Sequence, residues 1–305
     1  MVLEIISGIL PLYLIIGIGY ATGKLFEIDT KSIATITVFV VSPIVFILSI
    51  SKISFSGIAV IAPFITLFFA LCFSFLVLNI TKLYMKDGKT PYLSALMSGT
   101  GNWGYLGIPI AFTIFDQSVV GLYIAIGVGM QIFENSLGIY FISRGNSSPI
   151  QSLKNIFRYP VLYAMVIGFV LSYFEYTIPV LNDQFFDFFK GAYTVLGMMI
   201  IGLGLADMHR FRIDIPFTFT VLIVQFVLWP LAAFLIIWLD KNFLHFFGES
   251  FYGPILLFSL MPMAANNAAF AAKFDMFPGK ASVGILASTL FAIIYIPCMI
   301  YIFIS

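Results

Sequence analysis

Charged side chains are scarce in this chain of 305 residues: Asp, Glu, Lys and Arg together make up 10% of it, whereas 61% of the residues are hydrophobic. Soluble domains usually carry about 25% charged residues, so this composition leaves too few of them to cover a surface that faces water. The scarcity excludes a soluble globular protein. Together with the mean hydropathy of +1.07, it indicates a multi-pass membrane protein whose main partner is the lipid bilayer.

Cysteine and histidine are also rare, with two of each. Cys72 and Cys298 lie far apart in apolar runs, which argues against a disulfide framework, and His209 and His245 are too distant in sequence to suggest a metal site. The formal net charge of +1 gives no support for nucleic-acid binding. The sequence lacks the H-E-x-x-H, G-x-S-x-G and P-loop motifs. We therefore predict that the protein is not an enzyme and uses no metal or organic cofactor.

Long apolar runs are what the chain does have, and a run of about 20 residues can cross a bilayer as a helix. We predict ten such spans, at residues 3–22, 33–50, 58–80, 91–113, 118–141, 158–175, 190–206, 215–239, 251–272 and 281–304. The sixth and seventh are the weakest, because the polar segment between them leaves their connection ambiguous.

The basic residues between these runs predict the orientation of the chain. With the N-terminus outside, the outer side receives only Lys52, Lys190 and Lys241 of the 15 basic residues. The others fall on the inner side: Lys24, Lys31, Lys82, Lys86, Lys89, Arg144, Lys154, Arg158, Arg210, Arg212, Lys273 and Lys280. This bias follows the positive-inside rule. It predicts a protein of the cell (inner) membrane with both termini on the non-cytoplasmic side.

Ten spans divide into two groups of five, which we place at residues 1–145 and 146–305. A second repeat of five spans necessarily inserts upside down relative to the first, as in many secondary transporters. We therefore expect an all-helical membrane protein built as a five-plus-five inverted repeat, with the two repeats forming a single transmembrane domain.

The fourth span of each half is interrupted. The fourth span contains "SGTGNWGYLGIP" (98–109) and the ninth "MPMAANN" (261–267), which combine Gly or Pro with the amides of Asn102, Asn266 and Asn267. Gly and Pro weaken a helix, and matching interruptions in two halves indicate the binding site of a transporter. The alternative is ordinary membrane composition, because Gly and Pro are common in such helices and amides also join neighbouring helices.

GTGNWG also matches the G-x-G-x-x-G spacing of dinucleotide-binding turns through Gly99, Gly101 and Gly104. That motif needs a preceding strand, a helix start and an acidic residue about 20 positions later. Here an apolar run precedes it and "VVGLYI" stands at 119–124. We therefore exclude nucleotide binding.

The stretch "GNWGYLGIPIAF" resembles the G-N-x-G-[FY]-L-G-[IL]-P signature of the auxin efflux carrier family, which includes plant PIN carriers and bacterial organic-acid permeases. The runs "VVSPIVFILSIS" and "LMPMAANNAAFAAKFDMFPGKASVGILASTLFAIIYIP" are similar to other parts of that family. The chain has no long central loop, so it resembles a bacterial-type permease. The resemblance implies crossed broken helices in spans four and nine, transport of a small organic anion, and often a homodimer. Trp103 and the Asn266–Asn267 pair depart from the family pattern.

Glu134, in "GMQIFENSLGIY", is the only acidic residue well inside a predicted span. Burying an isolated carboxylate is costly, so such a group is expected to face a cavity and to pair or bind a proton. Gln131 shares its helix face and Asn135 is adjacent. We assign proton coupling to Glu134, Gln131 and Asn135. The alternative is that Glu134 reaches water or pairs with a base near Arg144.

The function that follows is secondary active transport of a small organic anion, a carboxylate or an auxin-like acid, by alternating access with proton coupling. The core (spans three to five and eight to ten) would shift against the other spans. Two alternatives stay open: a sodium-coupled symporter, and a membrane sensor that binds small acids without moving them. Substrate identity and the direction of transport are not specified by the sequence. The candidate substrate-binding residues are Gly101, Asn102, Trp103, Tyr105, Gly107, Pro109, Pro262, Asn266 and Asn267.

Overall fold

Helix is the only regular secondary structure in the part of the chain that the computed structural model describes, which is residues 2–51, 57–176, 178–179, 183–207 and 213–304. The prediction of an all-helical protein is confirmed for these residues. Lys52, His209, Arg210 and Arg212, used above for orientation or in the search for a metal site, lie outside the described residues.

The described α-helices are numbered in chain order. They are α1 (Val2–Leu25), α2 (Thr30–Ile36), α3 (Ser42–Ser51), α4 (Ile58–Tyr84), α5 (Thr90–Ser98), α6 (Ile108–Ile114), α7 (Gln117–Phe133), α8 (Ile139–Arg144), α9 (Pro149–Ile156), α10 (Pro160–Tyr173), α11 (Asp183–Ala206), α12 (Ile215–Ile223), α13 (Trp229–Leu239), α14 (Glu249–Ser259), α15 (Asn266–Phe274) and α16 (Pro278–Phe303). Wider π-helical turns continue several of them, at Thr37–Val41, Trp103–Gly107, Glu134–Gly138, Val224–Leu228 and Asp240–Leu244.

Six helical segments of the described chain are long and apolar enough to cross a membrane: Thr30–Ser51, Ile58–Tyr84, Val119–Arg144, Gln184–Ala206, Ile215–Leu244 and Pro278–Phe303. A seventh results if α9 and α10, which are bent by 42° at a short break, form one span. Leu10–Leu25 is a shorter apolar helix, and the predicted fourth and ninth spans are each divided into two short helices. Ten spans and their arrangement as two repeats therefore stay predictions.

Two helix pairs of distant sequence pack along each other: α1 with α11, and α3 with α10. A methyl group added at Gly202 of α11 would lie 2.1 Å from the backbone oxygen of Ile16, so α1 and α11 touch backbone to backbone. Small residues allow this close approach in membrane proteins. At the end of the same pair, Lys24 Nζ donates a hydrogen bond of 2.6 Å to the backbone oxygen of Ala206.

The apolar side chains form separate groups. One buried cluster draws only on residues 59–141 and 224–300, whereas a smaller one contains Val41, Val45, Phe46, Ile50, Val161, Met165 and Tyr193. We call α4–α8 with α12–α16 the large bundle, and α1, α3, α10 and α11 the small bundle. A third buried cluster contains residues of both bundles and joins them.

Lys280, at the start of α16, forms ion pairs with two other segments at one end of the large bundle. Its Nζ lies 2.8 Å from Asp214 Oδ2, at the start of α12, and 3.4 Å from Asp87 Oδ2, before α5. Asp87 also accepts the backbone N–H groups of Thr90 (2.7 Å) and Lys89 (3.1 Å). Burial alone would raise the pKa of Asp87, but a hydrogen bond from the Thr90 hydroxyl, these backbone hydrogen bonds and the charge of Lys280 outweigh it and hold the pKa below its usual value.

Candidate functional site

The chain is not helical between Gly99 and Asn102. Helix α5 ends at Ser98, and the chain resumes as the π-helical turn Trp103–Gly107, which continues into α6. Because a helix precedes GTGNWG, the strand that a dinucleotide-binding turn requires is not there. This interruption, Gly99–Asn102, is called the first break.

A second interruption separates α14, which ends at Ser259, from α15, which begins at Asn266. We call residues 260–265 the second break. Pro262 lies in it and has no N–H to donate to a helix. The backbone N–H of Met263 donates instead to Ser288 Oγ of α16, at 3.2 Å.

The two breaks bond directly to each other. The backbone N–H of Asn102 donates to the backbone oxygen of Pro262 at 2.6 Å, and Asn267 Nδ2 donates to Thr100 Oγ1 at 2.8 Å. From the large bundle, Gln225 Nε2 donates to the backbone oxygen of Met261 at 2.6 Å. Polar backbone freed from a helix must find partners inside the protein when water is excluded. Here each break supplies partners for the other.

Beside the breaks lies a polar group that we call the Asn266 cluster, made of Tyr105, Glu134, Tyr193 and Asn266. Asn266 Nδ2 donates to Glu134 Oε1 at 2.7 Å and to Tyr193 Oη at 2.6 Å. Tyr105 Oη is 3.4 Å from Asn266 Oδ1, and the Tyr105 and Tyr193 ring centroids are 4.9 Å apart. Glu134 is 2% exposed. Since Tyr193 belongs to the small bundle and the others to the large one, the cluster crosses the boundary between them.

The other two residues assigned to proton coupling lie next to the cluster but do not bond to it. Asn135 Nδ2 donates back to the backbone oxygen of Gln131 in its own helix, at 3.0 Å. Gln131 Nε2 is buried and has no hydrogen-bond partner among the described residues. Arg144 contacts the backbone oxygen of Ser147 and the hydroxyl of Tyr92. Among the described residues it makes no ion pair with Glu134, which removes the alternative that Arg144 neutralises that carboxylate.

The remaining candidate substrate residues have different surroundings. The N–H of Gly101 contacts Met130 Sδ at 2.8 Å, and the backbone oxygen of Trp103 accepts from Tyr123 Oη at 3.0 Å. A methyl group at Gly107 would lie 1.7 Å from that Tyr123 oxygen, so only glycine leaves room for the tyrosine. Pro109 is exposed in the first turn of α6 and is not brought together with the cluster.

Three residues of the site were missed by the sequence analysis: Thr100, Tyr193 and Gln225. Gln225 is an amide in the apolar run "TVLIVQFVLWP", so the criterion that selected Asn102 would have found it. Tyr193 and Thr100 carry no such signal, because tyrosine and threonine are common in membrane helices.

Three buried amide atoms of the candidate site have no hydrogen-bond partner in the part of the chain that the structure describes: Asn102 Oδ1, Gln131 Nε2 and Gln225 Oε1. Buried polar atoms in native proteins are nearly always paired, so unpaired ones call for an explanation. They give the site one free amide donor and two free amide acceptors, beside a carboxylate that can hold a proton. No group of three or more His, Cys, Asp or Glu residues within the described ranges could hold a metal ion.

Comparison with known proteins gives two kinds of match. A family model described as "Membrane transport protein" matches residues 4–300. The uncharacterized transporter YfdV of Escherichia coli (strain K12) is 23% identical over 239 residues, covering 76% of this chain and 74% of that protein. The uncharacterized transporter MJ1031 of Methanocaldococcus jannaschii is 26% identical over 240 residues, covering 74% of this chain and 77% of that protein.

Proposed function

Because the chain belongs to the membrane transport protein family, we propose that it is a secondary active transporter that moves a small organic anion across the cell membrane, with a proton as the coupling ion. Membership confirms the resemblance to the auxin efflux carrier family that the sequence motifs indicated. The substrate class, the coupling ion and the mechanism are the proposal.

The observation that carries the proposal is the position of the Asn266 cluster. The cluster consists of a buried carboxylate, two phenols and an amide, and it lies beside the contact between the two breaks and at the boundary between the large and small bundles. A secondary transporter needs its site where two parts of the molecule move relative to each other. A shift of the large bundle against the small one would break the contacts of Tyr193 with Asn266 and so couple the site to movement.

The proposed architecture is ten spans in a five-plus-five inverted repeat, residues 1–145 and 146–305, with both termini outside the cytoplasm. Helices occur in all ten predicted ranges. The interruptions fall in the fourth range of each half. The packing of α1 on α11 pairs the first and seventh ranges, and that of α3 on α10 pairs the second and sixth. In two repeats of five, the first range corresponds to the sixth and the second to the seventh. The pair of ranges one and seven therefore corresponds to the pair of ranges six and two, as a repeat requires.

Substrate binding is assigned to the donors around the breaks. A carboxylate would accept hydrogen bonds from Nε2 of Gln131 and Nδ2 of Asn102, and it would lie at the N-terminal end of the helical segment that begins at Trp103. A helix N-terminus carries a partial positive charge that favours an anion. Tyr105 and Trp103 would form the walls. Glu134 would carry the proton.

Sodium coupling is the second candidate, and the observation that favours it is the pair of unpaired amide oxygens at Asn102 and Gln225. Such oxygens suit a hard cation. Replacing sodium by choline distinguishes the two: loss of uptake supports sodium, whereas dependence on a pH gradient alone supports the proton.

The experiment that tests the function is uptake of small carboxylates (acetate, pyruvate, benzoate, malonate and succinate) by proteoliposomes, with and without a pH gradient.

We predict that Asn102→Ala lowers uptake at least about tenfold, a loss of about 1.4 kcal/mol of interaction. The fold should persist because alanine keeps the backbone N–H that bonds to Pro262. Asn79→Ala is the matched control, since Asn79 bonds only within its own helix on the exposed surface. Near-normal uptake by Asn102→Ala would remove that side chain from the site. Binding of these acids without accumulation would instead indicate a sensor.

A further inference from the structure

The amide nitrogen of Asn266 has two N–H groups, and both are in use. One donates to the carboxylate of Glu134 at 2.7 Å and the other to the hydroxyl of Tyr193 at 2.6 Å. A substrate carboxylate could therefore bond to this nitrogen only by replacing one of the two acceptors. Glu134 is the acceptor of the same chemical kind as the substrate.

The exchange of one carboxylate for another depends on the charge of Glu134. A hydrogen bond to an ionised carboxylate is roughly twice as strong as one to a neutral acceptor. An ionised Glu134 therefore holds the Asn266 N–H firmly, and a protonated one holds it weakly. An ionised Glu134 would also repel a second carboxylate beside it, most strongly where water is excluded.

In the described part of the chain, the negative charge of Glu134 can be removed by binding a proton and is not paired with a basic side chain. The titratable groups that face it are the hydroxyls of Tyr193 from α11 and of Tyr105 from the π-helical turn after the first break. The elements packed on the turn Glu134–Gly138 also carry Tyr92 (α5), Tyr123 (α7), Tyr140 and Arg144 (α8), Lys154 (α9), and Tyr163 and Tyr173 (α10). Within the described residues, neither of these two basic side chains makes an ion pair or hydrogen bond with Glu134.

We propose that Glu134 competes with the substrate for Asn266, an inference that rests on the proposed function. A small monocarboxylate binds at Asn266 only when Glu134 has taken up a proton, so that the anion and the proton enter together. An O–H bond forms on Glu134, its hydrogen bond from Asn266 is released, and the same N–H then donates to the substrate. One negative charge and one proton enter, so the step carries no net charge. A dicarboxylate would bring a second negative charge that this single proton does not balance.

Proton uptake on binding tests the exchange directly. The purified full-length protein, in weakly buffered detergent solution with a pH-sensitive dye, is mixed with pyruvate, acetate or benzoate at mildly alkaline pH. We expect about one proton to be taken up per bound anion. The affinity should fall about tenfold for each pH unit over the range in which Glu134 is ionised before binding. Glu134→Gln should bind with pH-independent affinity and take up no proton. Glu249→Gln, an exposed carboxylate at the start of α14, should behave like the wild type.

The wild-type measurement needs no variant, so it stands if Glu134→Gln fails to fold. Binding without proton uptake, or with pH-independent affinity, overturns the inference while leaving transport intact. In proteoliposomes, we expect monocarboxylate uptake to follow a pH gradient and to ignore an imposed potassium–valinomycin potential, with succinate transported at least about tenfold more slowly. Uptake driven by the potential also overturns it. If none of these acids binds or is transported, the proposed function itself fails.

Discussion

Asn266 bonds to both bundles at the site. It is the first residue of α15, so it follows the second break directly, and its amide reaches Glu134 in one bundle and Tyr193 in the other. The hydrogen bonds of this one side chain therefore depend both on the charge of Glu134 and on the position of the small bundle. This makes Tyr193, which the sequence did not single out, as important to test as the amides that it did.

We expect Tyr193→Phe to lower the rate of carboxylate uptake about tenfold while leaving the protein folded. The change removes one hydroxyl and keeps the ring that packs against Tyr105 and Phe46. A tenfold loss corresponds to about 1.4 kcal/mol, which is within the range of about 0.5–1.5 kcal/mol for one lost hydrogen bond. Uptake at saturating and limiting pyruvate would be compared with that of Tyr173→Phe, whose side chain is 82% exposed. Equal rates for the two variants would show that the hydroxyl takes no part in transport.

The side chains that sequence analysis could identify are those whose burial in a membrane costs free energy, namely charged and amide groups. Glu134, Asn102 and Asn266 stand out because a charge or an amide in an apolar run needs a reason. The phenol of Tyr193 needs none, and its role depends on how α11 packs against the large bundle. That packing comes from contacts distant in sequence, which a local pattern does not contain.

At the scale of elements, the two breaks bond to each other instead of being two unrelated interruptions. Asn102 bonds to Pro262 through the backbone, and Thr100 bonds to Asn267 through side chains. The sequence indicated these places through Gly and Pro, although the assignment of crossed broken helices to two repeats stays a prediction. The sequence did not predict these pairings, since the partners are more than 150 residues apart along the chain.

We predict that Thr100→Val lowers the stability of the protein by about 1–2 kcal/mol, because the substitution keeps the shape but leaves the amide of Asn267 without its acceptor. Thermal unfolding in detergent would measure the change. Thr113→Val provides the control: Thr113 is exposed on α6 and bonds only to the backbone of its own helix. A melting temperature equal to that of the control would mean that the breaks are held by their backbone contact alone.

At the scale of the whole molecule, the moving core and the number of spans both stay predictions. The proposed moving core, spans three to five and eight to ten, corresponds to the residues of the largest buried cluster. Length selects six or seven spans for three reasons. The fourth and ninth predicted segments are each divided into two short helices, the first is represented by the shorter helix Leu10–Leu25, and the sixth counts only if α9 and α10 form one span. A span count by length therefore omits the segments that carry the site.

The large bundle should lose stability in acid through Asp87, which lies before α5 and outside the apolar segments. Its folded pKa lies below the unfolded value of about 3.9. Its contribution is therefore present above that value and is lost as the pH falls through the folded pKa. We expect Asp87→Asn to lower stability by on the order of 1 kcal/mol or less near neutral pH, since the group is largely exposed, and to have no effect in strong acid.

Thermal unfolding of Asp87→Asn across this pH range, beside Asp116→Asn as an exposed control, would measure the effect. A difference from the wild type that persists unchanged in strong acid would contradict the assignment to the Asp87 charge.

The backbone contact between α1 and α11 has a consequence for biosynthesis. Ribosomes extend chains by about 5–20 residues per second, so roughly 10–40 seconds separate the synthesis of these two helices. During that interval Gly19 and its neighbours on α1 lack the surface that later covers them. Helix α1 is thus inserted well before the surface that packs against it is synthesised. We expect the nascent chain to depend on the insertion machinery or on lipid to shield α1 until α11 arrives.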